Sequence, residues 1–109
     1  MSKIADAEFT GKVGSYNFVV YPWGTDFKAV RAVYVITKRT ADIYSRGTHS
    51  FIYIGQTGDL SERFDNHDKA DCFTKRGANC ICIHEESDEQ KRLAIESDLL
   101  DGNDTACNG

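Results

Sequence analysis

Residues 51–55 read Phe-Ile-Tyr-Ile-Gly, an aromatic and β-branched run that predicts a β-strand. Side chains alternate between the two faces of a strand. The alternation predicts that Phe51, Tyr53 and Gly55 lie on one face of this strand and that Ile52 and Ile54 lie on the other. This strand is the reference from which the rest of the chain is assigned.

Three further segments have the composition of strands, at residues 15–21, 32–37 and 79–84. A turn is predicted at residues 22–25, which read Pro-Trp-Gly-Thr. In the strand at residues 32–37, alternation places Tyr34 on the face opposite its two valine neighbours. If this strand pairs with the strand at residues 51–55, Tyr34 and Tyr53 come close together.

Two segments are predicted to be helices, and each starts with the residue pattern of a capping box. The first begins at Asp59, with Glu62 three residues later, and is expected to end near residue 68. The second begins at Ser87, with Gln90 in the equivalent position, and is expected to end near residue 101. Gly102 then supplies a C-terminal stop.

These assignments predict an α+β domain with a small antiparallel or mixed sheet of three to four strands flanked by helices. The main domain is assigned to residues 31–109, and residues 1–30 are predicted to be an N-terminal extension that adds a strand. The chain has 109 residues, of which 40% are hydrophobic and 28% charged, as expected for one globular domain.

The cellular context is predicted from hydropathy and cysteine usage. The sequence has no apolar run near the roughly 20 residues that span a bilayer, and its first ten residues carry no apolar signal stretch. We therefore predict a cytoplasmic protein without membrane association. In that reducing compartment the four cysteines are expected to be free thiols: Cys72, Cys80, Cys82 and Cys107.

The formal net charge of −4 weakens the case for nucleic-acid binding, because phosphate neutralisation supplies most non-specific affinity. A nucleic-acid site in this chain needs a local positive field or a protein partner that supplies specificity. The basic side chains available for such a field are Lys38, Arg39, Arg46, Lys75 and Arg76.

An acidic residue falls within the predicted apolar face of the second helix. At helical spacing Leu93, Ile95, Leu99 and Leu100 share one face, and Glu96 lies among them. A carboxylate in that position must be paired, protonated or bound to a metal ion, since burying a bare charge is costly. The alternative to a metal ligand is a buried glutamate satisfied by an arginine or by backbone donors.

Arg63 and His67 are four residues apart on the first predicted helix and are therefore neighbours. Taken singly, Arg63 could be a solvated helix charge and His67 a half-buried, satisfied histidine. Tyr34 and Tyr53 could be packing residues with satisfied hydroxyl groups.

Taken together, these residues form a pattern. Ala32-Val33-Tyr34 precedes Tyr53-Ile54-Gly55, and then follow Arg63, His67, Glu96 and Asn108. This order and spacing resembles the GIY-YIG nuclease superfamily over about residues 31–109. Two positions depart from the family pattern: the first triplet is Ala-Val-Tyr rather than Gly-Ile-Tyr, and Thr105 stands where the family often has a proline.

The resemblance implies an endonuclease that hydrolyses phosphodiester bonds with one divalent metal ion, in DNA rather than RNA. Glu96 would hold Mg²⁺ or Mn²⁺, and Arg63 would bind the scissile phosphate. Tyr34 would take a proton from the attacking water, and Tyr53 would orient the water or the phosphate. His67 would either assist proton transfer or hydrogen-bond a tyrosine. The resemblance also assigns Asn108 to positioning, and substrate contacts to Gly55, Gln56, Thr57, Lys38 and Arg39.

Two other interpretations remain open at this point. One is a non-catalytic binding or regulatory module on the same fold, which the acidic charge balance favours. The other is a zinc site, because Cys80, Cys82 and His84 alternate onto one strand face. A fourth zinc ligand would then come from Cys72 or His67.

Overall fold

A computed structural model describes residues 3–44, 46–64 and 67–108. Its centre is a five-stranded antiparallel sheet in the order β1-β2-β5-β3-β4. The elements are β1 (Ala5–Thr10), β2 (Ser15–Pro22), β3 (Ala32–Ala41), β4 (Gly47–Thr57), a 3₁₀ turn (Leu60–Glu62), α1 (Ala70–Lys75), β5 (Cys80–Glu85) and α2 (Glu89–Gly102).

The predicted sheet of three to four strands flanked by helices is wrong. Five strands curl into a half-barrel, and the described residues contain two α-helices, of which only α2 is longer than two turns. The difference arises at the N-terminus, where two strands form instead of the one predicted. β2 pairs with β5 near the middle of the sheet, and β1 continues the sheet beyond β2.

A register shift in the β3–β4 pair changes which side chains share a face. The shift follows Ile36 and leaves Ile52 as the extra residue of a β-bulge. Ile52 and Tyr53 consequently pack on the same side of the sheet, whereas Phe51 packs on the other. The prediction that Phe51 and Tyr53 share a face is therefore wrong, because a bulge interrupts the alternation between them.

Each side of the sheet has its own hydrophobic core. The helix face is covered by α2 and consists of Phe9, Phe18, Val20, Val33, Val35, Ile54, Cys80, Cys82 and Leu99. The tyrosine face is covered by the 3₁₀ turn, α1 and the C-terminal segment, and consists of Ala32, Tyr34, Ile36, Ile52, Leu60, Phe73, Ile81, Ile83 and Cys107. Burial of each large apolar side chain contributes about 1.5–3 kcal/mol to stability.

The first predicted helix does not form over residues 59–68. Asp59 does cap, since its carboxylate accepts the Ser61 N–H at 2.9 Å, but only the single 3₁₀ turn follows. Leu60 donates its backbone N–H to Val30 at 3.0 Å and is buried, which ties this turn to the tyrosine face. Residues 65 and 66 of the predicted helix lie outside the described residues, and α1 begins only at Ala70.

The second predicted helix is present as α2. Its N-cap is Asp88 rather than Ser87, because the Asp88 carboxylate accepts the N–H groups of Gln90 and Lys91. Gly102 is the last helical residue, and a Cβ there would collide with the backbone of Gly11 in the β1–β2 turn. Gly102 is therefore required for close packing against that turn.

The prediction of four free thiols is wrong for two of the cysteines. Cys72 in α1 and Cys107 in the C-terminal segment form a disulfide across a sequence separation of 35 residues. Cys80 and Cys82 are free and buried. Among the described residues, no helix has the length and apolar character needed to cross a membrane.

Candidate active site

The hydroxyl group of Tyr34 is the centre of a polar cluster on the tyrosine face. Arg63 Nε donates to Tyr34 Oη at 2.8 Å, and His67 Nε2 lies 3.0 Å from the same oxygen. Tyr34 is fully buried, and the Arg63 guanidinium also lies over its ring at 5.6 Å from the ring centroid. Arg63 reaches Tyr34 on β3 from the C-cap position of the 3₁₀ turn.

The backbone around His67 determines which ring nitrogen carries the proton. The Lys69 N–H points at Nδ1 at 3.1 Å, so Nδ1 accepts and the ring proton sits on Nε2. Asp68 Oδ1 also lies 3.1 Å from Nδ1, but its side chain is 81% exposed and solvent screens it. Burial and the nearby Arg63 lower the pKa of His67, which keeps the ring neutral. His67 Nε2–H therefore donates to Tyr34, whose oxygen accepts two N–H groups.

Tyr53 completes the aromatic part of the cluster. Its ring stacks beside that of Tyr34, with centroids 6.0 Å apart and an interplanar angle of 22°. His67 packs edge-on against Tyr53 at 5.0 Å and lies 4.8 Å from Phe73 of α1. Tyr53 lies on the side of Tyr34 because regular alternation places it on the same face as Gly55, which is paired with Tyr34.

Gly55 makes room for Tyr34. The two residues are paired across β3 and β4, and a Cβ at position 55 would lie 2.6 Å from both Cζ and Oη of Tyr34. It would also lie 2.9 Å from Tyr53. Any side chain at position 55 therefore displaces the Tyr34 hydroxyl from Arg63 and His67.

We expect Gly55→Ala to weaken function far more than its single methyl group suggests. The added Cβ and the end of the Tyr34 side chain cannot both keep their positions, so Tyr34 Oη would leave hydrogen-bonding distance of Arg63. Gly58→Ala is the matched control, since a Cβ at Gly58 meets no atom within 4 Å. Equal activity of the two variants in a cleavage assay, with circular dichroism spectra like that of the wild type, would refute the argument.

Asn108 holds the β4 edge in place. Its Oδ1 accepts the Ile54 N–H at 2.8 Å, and its Nδ2 donates to the Ile54 carbonyl at 2.9 Å. The preceding Cys107 donates its backbone N–H to Ile52 at 2.8 Å. Asn108 thus pairs with the Tyr53-Ile54-Gly55 segment as a neighbouring strand would. Its contacts are those of a positioning residue.

Glu96 lies on the inner surface of α2, but its neighbours differ from those predicted. That surface consists of Arg92, Ile95, Glu96 and Leu99, whereas Leu93 and Leu100 are 38% and 36% exposed. The prediction that Leu93 and Leu100 belong to the buried face is wrong, because the helix is rotated toward its polar residues.

The Glu96 carboxylate is half-buried and has no hydrogen-bond or ion-pair partner among the residues that the structure describes. Burial raises its pKa, and the Arg63 guanidinium offsets part of this rise. The charge of Glu96 in turn contributes to raising the pKa of Tyr34. The charges of Glu96, Arg63 and Tyr34 are therefore electrostatically coupled.

Arg92, which links α2 to β4, was not predicted from the sequence. Arg92 is 4% exposed and donates through Nε to Gln56 Oε1 at 3.0 Å. Its Nη1 donates to the carbonyls of Glu86 and Ser87, both at 3.0 Å. The available signal was its position four residues before Glu96, which puts both residues on one helix face. Arg92 fixes the helix that carries Glu96.

The predicted substrate-contacting residues are distributed unevenly. Gly55 is in the cluster, Gln56 is held by Arg92, and Thr57 exchanges hydrogen bonds with Asp59 at 3.1 and 3.2 Å. Lys38 and Arg39 lie four and five residues beyond Tyr34 on β3, which is about 13–17 Å along an extended strand. The structure does not bring Lys38 or Arg39 to the Tyr34 cluster.

The donor set at the site suits a hard cation better than zinc. Among residues 3–44, 46–64 and 67–108, no group of three or more histidine, cysteine or acidic side chains is arranged around a common point. Cys80 and Cys82 are packed in the helix face, and Cys72 is in the disulfide. Mg²⁺ commonly takes one or two carboxylates and completes its shell with water and substrate phosphate. A single unpaired Glu96 fits that requirement.

Comparison with protein-family models, curated proteins and solved structures finds no match for this chain.

Proposed function

We propose that this chain is a divalent-metal-dependent endonuclease of the GIY-YIG type that hydrolyses phosphodiester bonds, with DNA as the preferred substrate. The observation that carries the proposal is the convergence of Arg63 and His67 on the hydroxyl of Tyr34. Neither contact is needed to fill a hydrophobic core. Both contacts suit a site that binds a phosphate group next to a side chain that accepts or donates a proton.

Arg63 is the proposed phosphate-binding residue. Its Nε is used by Tyr34, and no hydrogen bond to its terminal nitrogens is found within the described part of the chain. Those nitrogens can face two phosphate oxygens in the fork geometry that guanidinium groups favour. The positive charge opposes the negative charge that develops on the phosphate in the transition state.

Tyr34 is the proposed acceptor for the proton of the attacking water. Burial raises the pKa of Tyr34 well above its ordinary value, and Arg63 offsets only part of the rise, so the resting hydroxyl keeps its proton. The two N–H donors on Oη stabilise the phenolate once it forms. The acceptor role therefore requires that Tyr34 first release its own hydroxyl proton to solvent, a step that a cation held by Glu96 would favour.

Glu96 is the proposed ligand of Mg²⁺ or Mn²⁺. When bound there, the cation supplies charge to the scissile phosphate and to the leaving oxygen. Tyr53 orients the water or phosphate beside Tyr34, and His67 holds the Tyr34 oxygen through its Nε2–H. Asn108 keeps the β4 edge in register, which fixes Tyr53 and Gly55.

The second candidate function is a non-catalytic binding or regulatory module. Two observations favour it: the net charge of −4, and the burial that keeps Tyr34 protonated in the free protein. The nuclease proposal includes a protein partner that supplies specificity and offsets the acidic charge.

The test is metal-dependent cleavage of labelled duplex DNA, single-stranded DNA, branched DNA and RNA at low salt. We expect cleavage with Mg²⁺ or Mn²⁺, loss of cleavage with EDTA, and products ending in 5′ phosphate and 3′ hydroxyl. Arg63→Ala should cut at least about 10²-fold more slowly, while Lys12→Ala, at an exposed position in the β1–β2 turn, should match wild type. A folded wild type that cuts nothing would decide for the binding module, whereas an unimpaired Arg63→Ala would overturn the role assigned to Arg63.

A further inference from the structure

A cavity of about 370 Å³ lies on the tyrosine face beside the proposed active site. Its walls are formed by Val19 and Tyr21 of β2, Ile83 of β5, and Phe27, Val30 and Leu60 from the connecting segments. Small-molecule sites in proteins occupy roughly 300–1,000 Å³ and combine apolar walls with a few polar groups. This cavity is at the small end of that range.

The sheet register places the cavity next to Tyr34. Tyr34 is paired with Ile83 on β5, and Ile83 is paired with Val19 on β2. Neighbouring strands are about 4.8 Å apart, so the backbones of the two strands under the cavity lie roughly 5–10 Å from the backbone of Tyr34. The wall is also connected to the phosphate site directly, because Phe27 packs on Phe64 at 5.9 Å and Phe64 follows Arg63 in the chain.

The residues that line the cavity indicate which class of molecule it can bind. Asp26 and Glu85 lie on the rim and disfavour a second phosphate or another anion. The apolar walls disfavour a free cation, which would lose its hydration. Asn17 and Lys28 lie on the same rim as hydrogen-bonding groups, and Tyr21 and Phe27 meet edge to face at 5.3 Å. The occupant that fits is flat, uncharged and aromatic, with a polar edge.

We infer that this cavity receives one unstacked nucleobase of the substrate, next to the phosphate held by Arg63. The inference rests on the proposed nuclease function and narrows its substrate class. A base can enter the cavity only if it has left the helical stack, which costs least for a mismatched, bulged or single-stranded nucleotide. The substrate is therefore a nucleic acid with an unpaired nucleotide at the cleavage position, and aromatic stacking supplies sequence-tolerant affinity for it.

The first test measures binding without cleavage, in EDTA. A duplex carrying 2-aminopurine in a single-nucleotide bulge is compared with the same duplex fully paired. Wild type should bind the bulged duplex about tenfold more tightly, in line with the contribution of one stacked base. Tyr21→Leu should lose this preference. Tyr44→Leu is the matched control, because Tyr44 is 71% exposed on the β3–β4 connection, remote from the cavity.

The second test measures cleavage of the same two duplexes with Mg²⁺. The outcomes separate the inference from the function on which it rests. If a Tyr21-dependent preference is found in binding but nothing is cut, the proposed nuclease function fails and the cavity assignment stands. If both duplexes are cut at equal rates, the cavity assignment is overturned and the nuclease function is retained. If Tyr21→Leu keeps the preference for the bulge, the cavity assignment is overturned whether or not the duplexes are cut.

Discussion

Glu96→Gln is expected to lower metal-dependent cleavage by about 10³-fold or more and, at the same time, to raise the melting temperature. Stabilisation of transition-state charge by a metal ion amounts to several kcal/mol, and a neutral amide is a poor ligand for Mg²⁺. The gain in stability follows from the environment of Glu96. Its carboxylate is half-buried without a hydrogen-bond partner among the described residues, and glutamine of similar shape removes the charge that burial disfavours.

The pH dependence of that stability difference has a definite sign. The folded-state pKa of Glu96 is raised above the ordinary value of 4.5, so the unfolded chain gives up its proton first. The wild type therefore loses stability as the pH rises above that value, and the loss is complete once the pH exceeds the folded-state pKa. Thermal melts from pH 4 to pH 8 should show the two proteins converging below about pH 4.5 and the glutamine variant more stable at neutral pH.

Glu89→Gln provides the matched control, since Glu89 is exposed in the first turn of the same helix. It should leave cleavage unchanged and give no gain in melting temperature, because a negative charge is favourable near a helix N-terminus. If Glu96→Gln loses both activity and stability, Glu96 is a structural residue. If it keeps full activity, the assignment of the metal ligand is wrong.

The approach of Tyr34 to Tyr53 was predictable from strand composition and alternation, and the helical spacing of Arg63 and His67 made them neighbours. Both pairs lie together in the structure. The means differ from those predicted, however. Arg63 reaches Tyr34 from the C-cap of a 3₁₀ turn rather than from a helix, and the bulge at Ile52 turns Phe51, not Tyr53, to the other face.

β1 was not predicted because its sequence contains few large apolar residues. β1 reads Ala-Asp-Ala-Glu-Phe-Thr, and only Phe9 is fully buried. Ala5 and Ala7 pack against the helix face, but alanine is depleted in strands and gives no β-propensity. Tertiary pairing with β2, rather than the local sequence, makes this segment a strand.

The orientation of α2 was mispredicted because the hydrogen bonds of its polar side chains outweigh the free energy gained by burying more of its leucine side chains. Arg92 satisfies its guanidinium on Gln56 and on two backbone carbonyls, and Asp98 accepts the N–H groups of Val13 and Gly14 and the Tyr16 hydroxyl. These partners lie far away in the sequence. A hydrophobicity pattern assigns residues such as Arg92 and Asp98 to solvent, so it rotates the helix in the wrong direction.

The disulfide could not be predicted from the four cysteines, since four cysteines allow three pairings and a cytoplasmic chain is expected to have none. In the structure Cys72–Cys107 joins two parts of the candidate site. Cys72 precedes Phe73, which packs on His67 and Tyr53, and Cys107 precedes Asn108, which pairs with Ile54. The cross-link thus holds the support of His67 against the segment that orders the β4 edge.

Cys72→Ala/Cys107→Ala is expected to lower the free energy of unfolding by roughly 4 kcal/mol, the value that chain entropy gives for a loop of about 35 residues. In urea unfolding, dithiothreitol should shift the midpoint of the wild type to that of the double variant. It should not change the midpoint of the double variant itself. Cleavage should fall with stability, because the Asn108 segment loses its anchor beside Tyr53.

Thiol labelling of the native protein provides the check on the starting state. Cys80 and Cys82 are buried, and burial raises the pKa of Cys82 to about 12, so neither should react until the protein unfolds. The oxidised protein should then yield two reactive thiols on unfolding and the reduced protein four. If dithiothreitol exposes two further thiols but leaves both the unfolding midpoint and the cleavage rate unchanged, the cross-link is dispensable. The hydrogen bonds of Asn108 to Ile54 would then be sufficient to hold the C-terminal segment on β4.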